Sequence, residues 1–247
     1  MRETITGHNG VYEALRAGRR RFFRLLLADT ARATETVADI LALAEAAGVP
    51  VERVPRQTLD RLETAHHQGV ALEASEYPLV GVDEMLAEAQ RRGEPPFLLL
   101  LDQLQDPQNV GSLLRTAEAV GVHGVVLQQR RAATITAAVV HTSAGAVEHL
   151  LIAQVANLPQ TIEELKARQV WVVGLEAVRG ARPYDQLDLR GPLALVVGSE
   201  GEGLRRLVAE RCDFLAQLPM RGQVTSLNAA VAGSVVLYEA LRQRVAS

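Results

Sequence analysis

The 247-residue chain has a single cysteine, Cys212, a single lysine, Lys166, and aromatic residues at only 4% of its positions. One cysteine excludes an intramolecular disulfide and a cysteine-built metal site, and suits a reducing compartment. The scarcity of aromatics leaves the core to leucine, valine and alanine, which the 48% hydrophobic content supplies. Arginine carries nearly all of the 26 positive charges, a bias of composition that decides little. The formal net charge of −3 argues against a general polyanion binder, which would be basic overall, while leaving room for a local basic patch. No apolar run approaches the roughly 20 residues of a membrane-spanning helix, and Met1-Arg2-Glu3-Thr4 does not open on the apolar stretch of a secretory signal. The expectation is a cytoplasmic protein without membrane association. None of the six histidines, the adjacent His66-His67 included, has cysteine or a second histidine cluster at ligand spacing, so no metal site is expected.

Two patterns divide the chain. Residues 1–75 read as a small α/β unit: a short helix from Val11 to Arg16 ended by Gly18, a strand at 22–28 and a helix over 34–47 stopped by Gly48-Val49-Pro50. Strands at 51–54 and 69–74 follow, with a short helix at 58–62 between them. Residues 76–96 form a linker ending in Gly93-Glu94-Pro95-Pro96. From 97 to 247 strands and helices alternate. Strands are expected at 97–101, 125–128, 150–153, 170–175, 193–197 and 214–218, and helices at 109–120, 135–147, 158–168, 204–212 and 226–245. This alternation predicts a parallel sheet covered on both faces, doubly wound on pattern alone.

Ligands of such sheets collect at the carboxyl ends of the strands, and three strand-end loops there are unusual. The first, Asp106-Pro107-Gln108-Asn109-Val110-Gly111, opens a helix that Asn109 can cap, with Arg115 one turn beyond Gly111. The second, Gly198-Ser199-Glu200-Gly201-Glu202-Gly203, has three glycines but neither the Lys-Ser/Thr of a P-loop nor the order of a dinucleotide fingerprint. Its two glutamates would repel a pyrophosphate, so a ligand of little negative charge fits better, such as a sulfonium cation. The third runs from Leu218-Pro219-Met220 to Thr225-Ser226-Leu227-Asn228, where Thr225 or Ser226 can cap the last helix, and continues into the small residues Ala229 to Ser234.

In this order and spacing the three segments resemble the motifs of the SpoU branch of the SPOUT RNA methyltransferases. Gly7-His8 and Gln68-Gly69-Val70-Ala71 resemble the ends of the L30e-like domain in its rRNA-modifying members. The resemblance implies an S-adenosylmethionine-dependent RNA ribose 2′-O-methyltransferase, similar to the bacterial 23S rRNA guanosine enzymes. It implies a deep trefoil knot in the catalytic domain and a homodimer. Carried over by position, Gly198, Leu218 and Leu227, with Val197 and Met220, hold the cofactor. Asn109, Arg115, Glu200, Ser226 and Asn228 form the catalytic and RNA-binding set. Ser112 and Ala229-Ala230 depart from the commoner alanine and Val-Ser, away from that chemistry.

An arginine holds its proton too firmly for a good general base, so Arg115 is expected to act through its charge, with Glu200 as orienter or local base. Arg16, Arg19, Arg20, Arg21 and Arg24 are expected to contact RNA phosphates, the alternative being a solvated basic helix end. Cys212 reads as core filler. Two other functions stay open: a tRNA ribose 2′-O-methyltransferase, and a catalytically inactive RNA-binding ribosome-assembly factor. A Rossmann nucleotide enzyme is opposed by the missing fingerprint and the acidic loop.

Overall fold

The computed structural model describes residues 2–62, 66–129 and 135–246. In chain order the elements are β1 (Arg2–Thr6), α1 (His8–Ala17), β2 (Phe22–Ala28), α2 (Glu35–Ala46), β3 (Val51–Val54), α3 (Arg56–Asp60) and β4 (Val70–Ser75). Then come α4 (Val82–Arg92), β5 (Phe97–Leu101), α5 (Pro107–Ala119), β6 (Gly124–Gln128), α6 (Ala137–Thr142), β7 (Ile152–Val155) and α7 (Leu158–Ala167). The last are β8 (Trp171–Leu175), β9 (Arg182–Pro183), β10 (Leu193–Val197), α8 (Arg206–Arg211), β11 (Phe214–Gln217) and α9 (Ala229–Val245). They form two units: 1–78 with 135–149, and 79–134 with 150–247. Among the described residues no helix is long and apolar enough to cross a membrane.

In the first unit β1, β4, β2 and β3 form a four-stranded sheet in that order. The β2–β3 pair is parallel; β1 and β2 flank β4 antiparallel. Strand β1 was not foreseen in the sequence, because Arg2-Glu3-Thr4 is polar. It forms because Ile5 lies buried while β4 supplies its backbone partners.

Residues 135–149, which lie between two strands of the second unit in sequence, pack in the first. The single helix expected over 135–147 is broken there. Helix α6 stops at Thr142, Ala144 and Gly145 take positive φ, and a 3-10 turn follows at Ala146–His149. A Cβ at Gly145 would lie 2.7 Å from Glu13 of α1, so the close approach of two backbones, as much as periodicity, ends that helix.

Glu148 in this turn is buried and accepts two hydrogen bonds from Arg20, from Nε at 2.9 Å and Nη2 at 2.7 Å. Arg20 Nη1 also donates to Glu3 at 2.6 Å and to the Ser75 carbonyl at 3.0 Å.

The second unit holds a seven-stranded sheet, ordered β7-β6-β5-β10-β8-β11-β9 and parallel throughout. Phe97–Leu101 and Leu193–Val197 are buried at every position, as runs covered on both faces require. Leu98, Leu100, Ala194 and Val196 share one core with Met85, Ile162, Leu165 and Val208. On α9, a Cβ at Gly233 would fall 2.8 Å from Leu113 of α5 and 3.1 Å from Val197 of β10. The small residues of α9 therefore serve close packing against the sheet's edge of the site.

The Arg20–Glu148 pair generates a prediction. Removing Glu148 takes two of the four hydrogen bonds from a fully buried guanidinium and leaves it only Glu3 as a counter-charge among the described residues, at a cost up to about 3 kcal/mol. Glu148→Ala should therefore accelerate amide hydrogen exchange in β1, β2 and β4 and lower the denaturant midpoint of the first unit. Unchanged protection of these strands would show that the pair contributes little.

Candidate active site

The strand order sets β5, β10, β8 and β11 side by side, so the loops leaving their carboxyl ends are neighbours. The β5–β10 ladder runs one bond past the strands, Asp102 N–H donating to the Val197 carbonyl at 2.9 Å. The Asp102 carboxylate, wholly buried, then accepts from the Arg205 backbone N–H at 2.9 Å and from Arg205 Nε at 2.7 Å. This ties the loop after β5 to the end of the loop after β10.

That second loop is a tight turn closed by two reciprocal backbone bonds between Ser199 and Gly203, at 3.2 and 3.1 Å. A Cβ at Gly198 would lie 2.3 Å from the Gly203 carbonyl, so only glycine lets the two arms meet. Gly203 itself sits at φ +66°. From β8, Glu176 completes the clamp, its Oε2 accepting from the Leu204 N–H at 2.6 Å.

These loops enclose a cavity of about 410 Å³, within the roughly 300–1,000 Å³ usual for small-molecule sites. Val197, Gly198, Leu218, Met220 and Leu227, the five residues expected to hold a cofactor, all line it, as do Glu200 and Ser226. The sequence reading missed Glu176, Ala177 and Gln217 in the same wall. They lie at or beside the ends of β8 and β11, where the sequence carries no motif at these three positions.

Beside the cavity the three loops are joined by one side chain. Asn228 Nδ2 donates to Asn109 Oδ1 at 2.8 Å and to Glu200 Oε1, while Asn228 Oδ1 accepts the Val231 N–H at 3.1 Å. Asn228 is thus the N-cap of α9, in place of Thr225 or Ser226, and the helix starts at Ala229 rather than 226. Similarly, Asp106 caps α5, accepting from Gln108 N–H at 3.1 Å, with Pro107 in the first turn. Asn109 is freed from capping and faces the cluster. Arg115 is exposed on α5. Among the described residues no hydrogen bond or ion pair joins it to the cluster or to any other group. Six residues from Asn109, it is turned about 240° around the helix axis.

The N-terminal arginines fare unevenly. Arg20 is corrected out of the RNA-contact set, since its side chain is fully buried against Glu148 and Glu3. Arg24 is engaged by Glu73 at 2.6 Å and Glu52 at 3.0 Å. Arg16 lies 3.6 Å from Glu13, Arg19 donates to the Tyr77 hydroxyl at 2.8 Å, and Arg21 stacks over Phe23 at 5.4 Å. The Cys212 thiol donates to the Val208 carbonyl, and burial pushes its pKa up to about 12, so it is no nucleophile.

The sequence model of the SpoU rRNA methylase family matches residues 96–238, and that for RNA 2′-O ribose methyltransferase substrate binding matches 4–80. The chain is 43% identical over 240 residues to the putative TrmH family tRNA/rRNA methyltransferase YacO of Bacillus subtilis, covering 97% of this chain and 95% of that one.

The chain belongs to the SpoU rRNA methylase family.

With it the protein takes its place among the S-adenosylmethionine-dependent RNA methyltransferases. The SpoU fold is also that of AviRb from Streptomyces viridochromogenes in complex with AdoMet, at TM-score 0.82 and 24% identity over 100% of this chain and 92% of that one. An AdoMet-bound rRNA methyltransferase from Sinorhizobium meliloti superposes at TM-score 0.76 with 25% identity, covering 98% and 87% of the two chains. The cavity's residues fit such a donor. Backbone crowded around Gly198 offers hydrogen-bonding edges without side chains between, and among the described residues the lining holds two carboxylates and no basic group. That composition favours a cation and disfavours phosphates.

Asn228 joins capping to bridging, and two variants separate them. Asn228→Ala should lose the cap, about 1 kcal/mol, together with the bridge. Asn228→Asp keeps an acceptor for Val231 N–H but has no donor for Asn109 or Glu200. Its expected profile is near-native thermal stability with methyl transfer reduced at least about tenfold. Full activity in Asn228→Asp would remove the bridge from the site's working parts.

Proposed function

We propose that this SpoU enzyme methylates a ribose 2′-hydroxyl of RNA, that of a guanosine in 23S rRNA, and works as a homodimer with a knotted catalytic domain. The observation that carries the reading is the junction of Asn109, Glu200 and Asn228 beside the acidic, glycine-walled cavity. The 2′-O position is supported by the substrate-binding family model over 4–80, and an rRNA target by the family model over 96–238. Pairing of two copies is supported by the outer stripe of α9, where Val231, Val235 and Tyr238 are 50%, 38% and 53% exposed. They stand at spacings of four and three residues, beside Ser112 and Asn228 in one groove.

When bound, S-adenosylmethionine supplies an electrophilic methyl group on a positively charged sulfur. The chain's residues do the rest by position and charge. Val197, Gly198, Leu218, Met220 and Leu227 hold the donor against the strand ends. Asn109 and Asn228 fix the edge at which a ribose enters. Glu200, oriented through one oxygen by Asn228, has its other oxygen to receive the hydroxyl's proton. Arg115, exposed and without a hydrogen bond or ion pair among the described residues, holds an RNA phosphate and stabilises the oxygen as it becomes anionic.

Arg115→Ala should lower methyl transfer by on the order of 10²-fold, the cost of removing one charge-stabilising donor, while calorimetric affinity for S-adenosylmethionine stays within about threefold. Unchanged turnover would remove Arg115 from the mechanism. The target is read by mapping 2′-O-methylated riboses in cells with and without the protein. Loss at a 23S rRNA guanosine is expected, and loss only at a tRNA position would transfer the activity to tRNA.

A further inference from the structure

The two carboxylates of the cofactor cavity are not equivalent. Glu200 is engaged by the amide of Asn228. Glu176 is held only from behind. Its backbone N–H donates to the Ala216 carbonyl at 2.9 Å, and its Oε2 accepts from the Leu204 N–H at 2.6 Å. Among the described residues no ion pair involves it and no side-chain donor reaches its Oε1. The missing Cβ at Gly203 makes the space it occupies, since one there would lie 2.3 Å from Oε2 and 2.6 Å from Oε1. Among the described residues no arginine, lysine or histidine lines the cavity. Glu176 is thus a carboxylate with no counter-cation among the described residues, in the wall of a pocket sized for a small molecule.

A carboxylate so placed favours a positively charged ligand, and the gain grows as the cavity sheds water. We infer that Glu176 is a specificity-determining residue, through which the cavity prefers the cationic methyl donor over the uncharged thioether left after transfer. The inference rests on the cofactor reading above and adds a discriminating residue to it. Donor and product share adenosine and amino-acid portions and differ by one methyl group and one positive charge on sulfur. Contacts to the shared portions hold both alike. A charge-sensing group separates them on the larger of the two differences, and a preference for the donor clears the product from the site after each turnover. Glu176 suits the task better than Glu200, whose carboxylate is shared with the catalytic cluster.

The test is calorimetric and needs no turnover. Wild-type protein, Glu176→Gln and Glu176→Ala are titrated with S-adenosylmethionine, S-adenosylhomocysteine and sinefungin, which carries an ammonium in place of the methylated sulfur. The glutamine variant keeps an oxygen for the Leu204 N–H and removes only the charge. Wild type should bind the two cationic ligands more tightly than S-adenosylhomocysteine. In Glu176→Gln their affinities should fall on the order of tenfold, with S-adenosylhomocysteine changed less than about twofold. The ratio is read within each variant, so a general loss of stability does not imitate the effect. Equal losses for all three ligands, or no loss for any, overturn the inference while leaving the cofactor reading intact. Failure of the wild type to bind any of the three overturns both.

Discussion

The Asn228 side chain is where folding and chemistry meet. Its carbonyl oxygen satisfies a backbone donor at the start of α9, and its amide donates to Asn109 on α5 and to Glu200 after β10. A helix N-terminus must find acceptors for its free N–H groups, so the cap would be needed in any protein with this helix. Spending the same residue's donors on two other loops makes the start of α9 a fixed reference for the site. The arrangement works because parallel pairing puts β5, β10, β8 and β11 in register, delivering their loops to one edge. The clamps from Asp102 to Arg205 and from Glu176 to Leu204 then hold the glycine turn against that edge.

Charge is divided across this edge. Among the described residues the cavity side holds Glu176 and Glu200 and no basic side chain, whereas α5 presents an exposed Arg115 with no hydrogen bond or ion pair. A methyl donor is positive at the reacting group and RNA is negative everywhere, so one uniform field would repel one of them. On the function proposed above, carboxylates beside the donor and an arginine facing the RNA would attract both.

Much of this was legible in the sequence because buried parallel strands advertise themselves. Phe97–Leu101 and Leu193–Val197 appear as uninterrupted apolar runs at the boundaries they have in the fold, and the three motif loops follow strand ends. What escaped depended on tertiary partners. Asp106 rather than Asn109 caps α5, because Pro107 fits the first turn, and Asn109 is then free to face Asn228. The helix expected over 135–147 breaks where Gly145 is pressed against α1, a contact that periodicity cannot register. Glu176 and Asp102 carry no local signature. Each is one acidic residue after an apolar strand, and its role exists only once the Gly203–Arg205 backbone folds against it.

The N-terminal unit bears on how RNA is recognised. Arg20 is wholly committed to Glu148 and Glu3, and Arg24 to Glu73 and Glu52. Counterion release on RNA binding scales with the number of phosphates neutralised, and a guanidinium already facing carboxylates adds little to it. Five arginines within nine residues therefore supply far less phosphate affinity than the sequence implies. With a net charge of −3 over the whole chain, attraction at long range is weak as well. Discrimination among RNAs then falls to the shape of the exposed surfaces and to base or ribose contacts made at close range. That suits an RNA methyltransferase that must choose its target among thousands of chemically similar nucleotides: strong charge attraction would bind every RNA helix, whereas weak attraction leaves the correct fold of the target as the condition for residence at the site.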